Sequence, residues 1–109
     1  MDTFQVYDML ARRDTVSHSY DDFFASRQLS MGLSVWPARA EDNQRPHAED
    51  EVYYIVEGRG RIQVGDEDEG VGPGSTIFVA TGVDHHFHDI TETLKVLVFW
   101  APPHHSREG

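Results

Sequence analysis

Cysteine is absent from this sequence, which excludes disulfide bonds, thiolate metal sites and cysteine nucleophiles. Basic residues are also scarce, because nine Lys and Arg stand against 19 Asp and Glu and leave a formal net charge of −10. Such a charge repels duplex nucleic acids and anionic membrane surfaces. We therefore expect neither a nucleic acid nor a membrane as a partner.

Long hydrophobic runs are missing as well. The longest, such as Ile77 to Ala80 and Val96 to Ala101, are far shorter than the ~20 residues that span a bilayer. The N-terminal sequence MDTFQVYD also lacks the basic and apolar regions of a signal peptide. These absences predict a soluble protein of the cytoplasm.

The length of 109 residues suffices for one domain with its own hydrophobic core. Composition divides the chain into an N-terminal arm with short strands over residues 1–28, a main domain over 29–101 and a polar tail over 102–109. We expect the tail to be frayed. Its two histidines, His104 and His105, are therefore not expected to hold a ligand.

Short runs of β-branched and aromatic residues recur along the chain, separated by Gly and Pro. They predict strands at 29–36, 51–57, 61–64, 75–81, 85–90 and 94–100. The segment 61–64 is expected to pair back on 51–57 as a hairpin, and the acidic segment 65–70 is expected to be a turn. Many short strands joined by tight turns indicate an all-β antiparallel sandwich or barrel.

Side chains alternate between the two faces of a strand, and this limits which residues can meet. Glu51 shares one face with Tyr53 in the strand EVYYIVE. In the segment HHFHD, His85 lies on the face opposite to His86 and His88, so this histidine cluster cannot deliver all its rings to one metal ion without a bulge.

Two segments resemble the signature motifs of the cupin superfamily, whose members are small β-barrel enzymes and binding proteins, many of them metal-dependent. They are PHAEDEVYYIVEGRGRI, residues 46–62, and VGPGSTIFVATGVDHHFHD, residues 71–89. Six of ten motif positions agree: His47, Glu51, Gly58, Gly74, Gly82 and His85. The four departures are Arg39, Arg45, Ala80 and Asp89. The resemblance implies a small antiparallel β-barrel of the jelly-roll, or double-stranded β-helix, type over about 29–101.

The resemblance also implies a metal site. The family's usual three histidines and one glutamate are reduced here to His47, Glu51 and His85, because Arg45 replaces the first histidine. Two imidazoles and a carboxylate suit one divalent transition ion, which is Fe, Mn, Ni or Zn. Gln44, His88 or a water molecule is available as a fourth ligand. A cupin that binds no metal is the alternative.

The barrel interior is expected to form a largely apolar pocket for one small ligand. Its predicted inner rows are Tyr53, Ile55, Ile62, Val64, Phe78, Phe87, Val96, Val98 and Trp100. The resemblance implies either a metal-dependent oxygenase or isomerase acting on a small metabolite, or a non-catalytic binding or sensor protein. In an enzyme, the Tyr53 hydroxyl is a candidate to contact the substrate.

Arg45 cannot ligate a cation, so we expect it to turn away from the metal. It would extend into solvent or towards nearby acidic residues, or it would clamp an anionic substrate at the pocket mouth. The five aromatic residues of the arm are more than one small domain readily buries, and they predict a homodimer in which the arm packs across a two-fold axis.

Overall fold

The structure is a computed structural model that describes residues 1–106. Over these residues the chain forms one short helix and six strands: α1 (Val6–Ala11), β1 (Ser19–Ala25), β2 (Ser30–Trp36), β3 (Asp50–Val64), β4 (Glu67–Val71), β5 (Thr76–Val79) and β6 (His85–Ala101). Every strand pair is antiparallel. The all-β fold class is confirmed. No helix in the described part of the chain has the length and apolar character needed to cross a membrane.

The long strands β3 and β6 form the centre of the sheet. Its order is β1-β2-β6-β3-β4, and β5 pairs with the first part of β3 on the same edge as β4. β3 and β6 pair from Asp50 opposite Ala101 to Val64 opposite His85, with register shifts between Ile55 and Arg61. Such irregularities let long strands bend and close a barrel.

Gly58 marks the irregular part of β3. Its φ of +97° is in the left-handed region, and a Cβ there would lie 2.1 Å from the carbonyl oxygen of Thr93 on β6. Only glycine allows both this backbone conformation and this close approach. The chain therefore continues through Gly58 as a strand, where the sequence suggested an end.

Three predictions of strand boundaries are wrong, and Gly58 accounts for the first of them. The segment 61–64 continues β3 and does not pair back on 51–57, and the segments 85–90 and 94–100 belong to the single strand β6. The predicted turn at 65–70 is mostly β4, which pairs with the end of β3. Its acidic residues are exposed because β4 lies at the sheet edge.

The main core lies between the inward rows of β3, β5 and β6. Most of the predicted inner row is buried there, including Tyr53, Ile55, Phe87 and Trp100. Phe78 is the exception, since 61% of it is exposed while Val79 is buried. Residues paired directly across two strands share a face. Phe78 pairs with the outward Val52, so its predicted inward position is wrong.

The N-terminal arm contains one strand, β1, and the helix α1, where only short strands were predicted. Leu10 of α1 is buried against Leu33 and Val35 on the outer side of β2. The arm's aromatic rings also contact one another, with the centroid of Phe4 at 4.9 Å from Phe23. The arm thus covers part of the sheet within one chain. The homodimer stays a prediction.

The described part of the C-terminal tail lies against the barrel. The ring of His104 stacks on Trp100 with centroids 4.0 Å apart and an interplanar angle of 7°. The His104 backbone N–H donates to the Ser30 hydroxyl at 2.8 Å. These contacts hold His104 against the barrel, where the sequence suggested a frayed tail, while 107–109 lie outside the described residues.

Candidate metal centre

His47, Glu51 and His85 are brought together by the pairing of three segments. Glu51 lies near the start of β3 and faces inward, and His85 is the first residue of β6. His47 belongs to the loop before β3, and its carbonyl accepts a hydrogen bond from the Gly82 N–H at 2.8 Å. One potential ligand atom from each of the three side chains lies within 4.8 Å of the others. This separation is compatible with a shared metal ion.

The contact between His85 and Glu51 shows that the donor atoms of this group suit a cation. His85 Nδ1 lies 2.9 Å from the Val83 carbonyl oxygen, which can only accept, so Nδ1 carries the proton. In the neutral ring Nε2 is then a lone pair, and it lies 3.2 Å from Glu51 Oε1. Neither atom has a hydrogen-bond partner within residues 1–106, and the side chains are 1% and 2% exposed. A bound cation would satisfy both atoms.

A second buried carboxylate increases the negative charge near this site. Glu49 is 1% exposed, and both its oxygens lack a hydrogen-bond partner among the described residues. Its charge acts on His47 and raises the pKa of that ring, as does Glu51. Burial outweighs these charges, so the pKa of His47 is lowered below 6.5. His47 is therefore neutral at pH 7 and retains a lone pair for a metal ion.

A hydrogen-bond chain orients His47. The Gln44 side-chain amide donates to Asp42 Oδ2 at 2.6 Å, which leaves Gln44 Oε1 as an acceptor. Gln44 Oε1 lies 3.1 Å from His47 Nε2. Asp42 Oδ2 also accepts from the Phe87 backbone N–H at 2.8 Å and so connects this loop to β6. Metal binding through Nε2 of His47 would replace its contact with Gln44. Asp42 was not predicted from the sequence, because no motif position indicated it.

Tyr53 follows Glu51 on the inward face of β3, as predicted from alternation. Its hydroxyl donates to Gln44 Oε1 at 3.4 Å. Burial, reinforced by the nearby Glu51 charge, raises the pKa of Tyr53 well above 10. The phenol therefore remains a hydrogen-bond donor throughout the neutral range.

A cavity of about 280 Å³ opens beside Glu51 and His47. Most of its lining side chains carry aromatic or imidazole rings, and within residues 1–106 none is Lys or Arg. The lining residues are His18, Tyr20, Ser34, Trp36, Gln44, His47, Glu51, Tyr53, Val98, Trp100, His104 and His105. Ligand cavities commonly begin near 300 Å³. This one therefore fits a small molecule with a flat or apolar body.

The structure does not bring the other sequence candidates to this cavity. Arg45 is exposed and makes no ion pair with any residue in the described range. Its predicted clamp on an anionic substrate stays a prediction. His88 lies on the outer side of β6, as alternation predicted, and its Nε2 is 2.6 Å from Asp68 Oδ2. It is therefore not positioned to be the fourth ligand, whereas Gln44 lies beside His47.

Comparison with known proteins identifies the fold family. Residues 33–101 match the family model described as the cupin domain. The chain belongs to the cupin family. It is 43% identical over 103 residues to an uncharacterized protein of Streptomyces coelicolor, a match that covers 94% of this chain and 98% of that one.

Solved structures that resemble this cupin include the following two. The TT1209 protein of Thermus thermophilus has a TM-score of 0.76 and 25% identity, with 94% of this chain and 99% of that chain covered. The DMSP lyase DddQ of Ruegeria pomeroyi has a TM-score of 0.74 and 22% identity, with 85% and 49% covered. At this level of identity the second similarity concerns the fold alone.

The contact between His85 and Glu51 predicts a pH dependence of the metal-free cupin. Burial lowers the pKa of His85, but the Glu51 carboxylate and the Val83 carbonyl together raise it above 6.5. Protonated His85 thus stabilises the folded state. This contribution is complete below the unfolded pKa of about 6.5 and is lost as pH rises through the folded pKa.

Chemical denaturation of EDTA-treated protein between pH 6 and 9 measures this contribution. The free energy of unfolding of the wild type, minus that of His85→Asn, should decrease with rising pH. Asparagine retains a donor for the Val83 carbonyl but does not titrate. A difference that increases with pH would contradict the assignment.

Proposed function

We propose that this cupin binds one divalent transition metal ion, Fe, Mn, Ni or Zn, through His47, Glu51 and His85. The observation that carries the proposal is the contact between His85 Nε2 and Glu51 Oε1, two buried atoms that have no hydrogen-bond partner within residues 1–106 when the ring is neutral and that a cation would satisfy together. Two imidazoles and one carboxylate match the donor preferences of these ions and leave coordination positions open.

We propose further that the protein is a metal-dependent oxygenase or isomerase that acts on a small metabolite in the adjoining cavity. A bound ion of this kind supplies Lewis acidity or redox chemistry to an oxygen-containing group. The aromatic walls would exclude water and hold the substrate against the site. Tyr53, kept protonated by burial, is available to donate a hydrogen bond to the substrate.

Turnover by the metal-loaded protein tests the catalytic part of this proposal. Oxygen consumption and product formation should be followed with catechols, thiols and keto acids as candidate substrates. We expect at least one class to be converted by the wild type and by His86→Asn, whose side chain lies on the outer side of β6. His85→Asn should lose the activity. Ligand binding by the metal-loaded protein without conversion would instead indicate a binding or sensor function.

A further inference from the structure

His104 extends the candidate site beyond the residues of the cupin motifs. It lies in the tail after β6, outside the matched range 33–101, yet it lines the cavity together with His47. The two rings are 5.9 Å apart between centroids. The His104 side chain is 11% exposed and is stacked on Trp100. A polar ring held this firmly at a cavity wall is suited to contact a bound molecule.

A chain of hydrogen bonds fixes the orientation of the His104 ring. The Trp100 indole N–H donates to the Tyr20 hydroxyl at 2.6 Å, and that hydroxyl donates to Asp22 Oδ1. Asp22 Oδ2 lies 3.0 Å from His104 Nδ1. Indole can only donate and carboxylate can only accept, so the direction of every bond in the chain is determined.

This chain also determines which His104 nitrogen can accept a hydrogen bond. Because Asp22 accepts from Nδ1–H, the neutral ring carries its lone pair on Nε2. No side chain within residues 1–106 forms a hydrogen bond with that nitrogen. His104 lines the cavity, so Nε2 is available to a molecule bound there.

We propose that His104 is a specificity-determining residue whose Nε2 accepts a hydrogen bond from the small molecule in the cavity. The ligand class is then a flat molecule that carries an O–H or N–H donor. This inference rests on the proposed function, since it assigns a ligand class to the same site. Asp22 is a positioning residue that sets the tautomer of His104.

Two variants separate hydrogen bonding from general packing. His104→Asn retains a donor for Asp22 but places no acceptor at the position of Nε2. Asp22→Asn offers an amide donor to Nδ1 and thereby favours the tautomer with Nε2–H, which turns the acceptor into a donor. His86→Asn is the matched control, because it makes the same change on the outer side of β6.

Pyrrole and furan are suitable probes because they have similar size and shape. Pyrrole carries an N–H donor and no in-plane acceptor, whereas furan carries only an acceptor. The chain has two Trp residues, Trp36 and Trp100, and both line the cavity. Their indole N–H signals in NMR spectra of zinc-treated ¹⁵N-labelled protein therefore report binding of either probe.

We expect the wild type and His86→Asn to bind pyrrole more tightly than furan by roughly two- to twelvefold, the range of one hydrogen bond. His104→Asn should abolish this preference, and Asp22→Asn should abolish or reverse it. A loss of packing would weaken the binding of both probes alike and leave the ratio of the two affinities unchanged. An unchanged ratio in either variant, no preference in the wild type, or no response to either probe would overturn the proposal.

The zinc content of the same samples distinguishes this proposal from the proposed function. We expect His104→Asn and Asp22→Asn to hold as much zinc as the wild type, because neither residue belongs to the three-ligand group. Absence of zinc from the wild type would contradict the metal site alone. An altered probe ratio would still support the role of His104.

Discussion

Truncation of Phe87 to alanine should lower the free energy of unfolding by about 3–5 kcal/mol, whereas the same truncation of Phe78 should change it by only about 0.5 kcal/mol. Phe87 is 1% exposed and its ring lies 5.0 Å from Tyr53 and 6.0 Å from Trp36 between centroids. Its removal leaves a cavity in the main core. Phe78 is mostly in solvent already.

Urea denaturation of both variants, followed by circular dichroism, measures the two free energies. Each variant is the control for the other, because the chemical change is identical while Phe87 faces the core from β6 and Phe78 faces solvent from β5. Equal losses, or a larger loss for Phe78→Ala, would show that β5 has the opposite register. They would contradict the pairing of Phe78 with Val52.

Metal binding should produce the second large effect. A ligand that binds only the folded state, at about a thousand times its dissociation constant, stabilises that state by about 4 kcal/mol. We expect zinc or manganese to stabilise EDTA-treated wild type by about this amount. His85→Asn should lose most of the effect, because one of three ligands is removed from a buried site.

The matched control for this experiment is His86→Asn, in which the neighbouring histidine is removed from the outer side of β6. It should respond to the metal as the wild type does. Equal stabilisation of His85→Asn and the wild type would place the ion elsewhere. Stabilisation that disappears in His86→Asn would identify a surface site.

Alternation and the motif spacing together predicted the inner part of the site. Glu51 and Tyr53 share the inward face of β3 because residues two apart on a strand point the same way. The same two-residue alternation correctly predicted that His85 and His88 lie on opposite faces of β6. The resemblance to cupins supplied the ligand set. Pairing of β5 with the start of β3 places Val79 opposite Glu51, and the short segment after β5 leads to His85.

The register of β5 could not be read from the sequence. Ile77, Phe78 and Val79 are consecutive apolar residues, so no alternation indicates which of them faces inward. The pairing of Val79 with the inward Glu51 decides the question. Gly58 was misread for a similar reason, because its close approach to Thr93 is a contact between distant parts of the chain.

The contribution of the tail also depends on distant contacts. Asp22 and His104 are 82 residues apart in the sequence, and no local pattern relates them. Pro102 and Pro103 indicated the end of a strand, which is correct, but they gave no sign that the following ring stacks on Trp100. The signal available in the sequence was the position of His104 and His105 shortly after Trp100, near the end of β6.

Anomalous X-ray diffraction from crystals of zinc-loaded protein tests the proposed metal centre most directly. Data collected on either side of the zinc absorption edge should give one strong peak, about 2 Å from a nitrogen of His47, a nitrogen of His85 and a carboxylate oxygen of Glu51. The absence of a peak among these three side chains, or a principal peak at the surface residues His86 and His88, would contradict it.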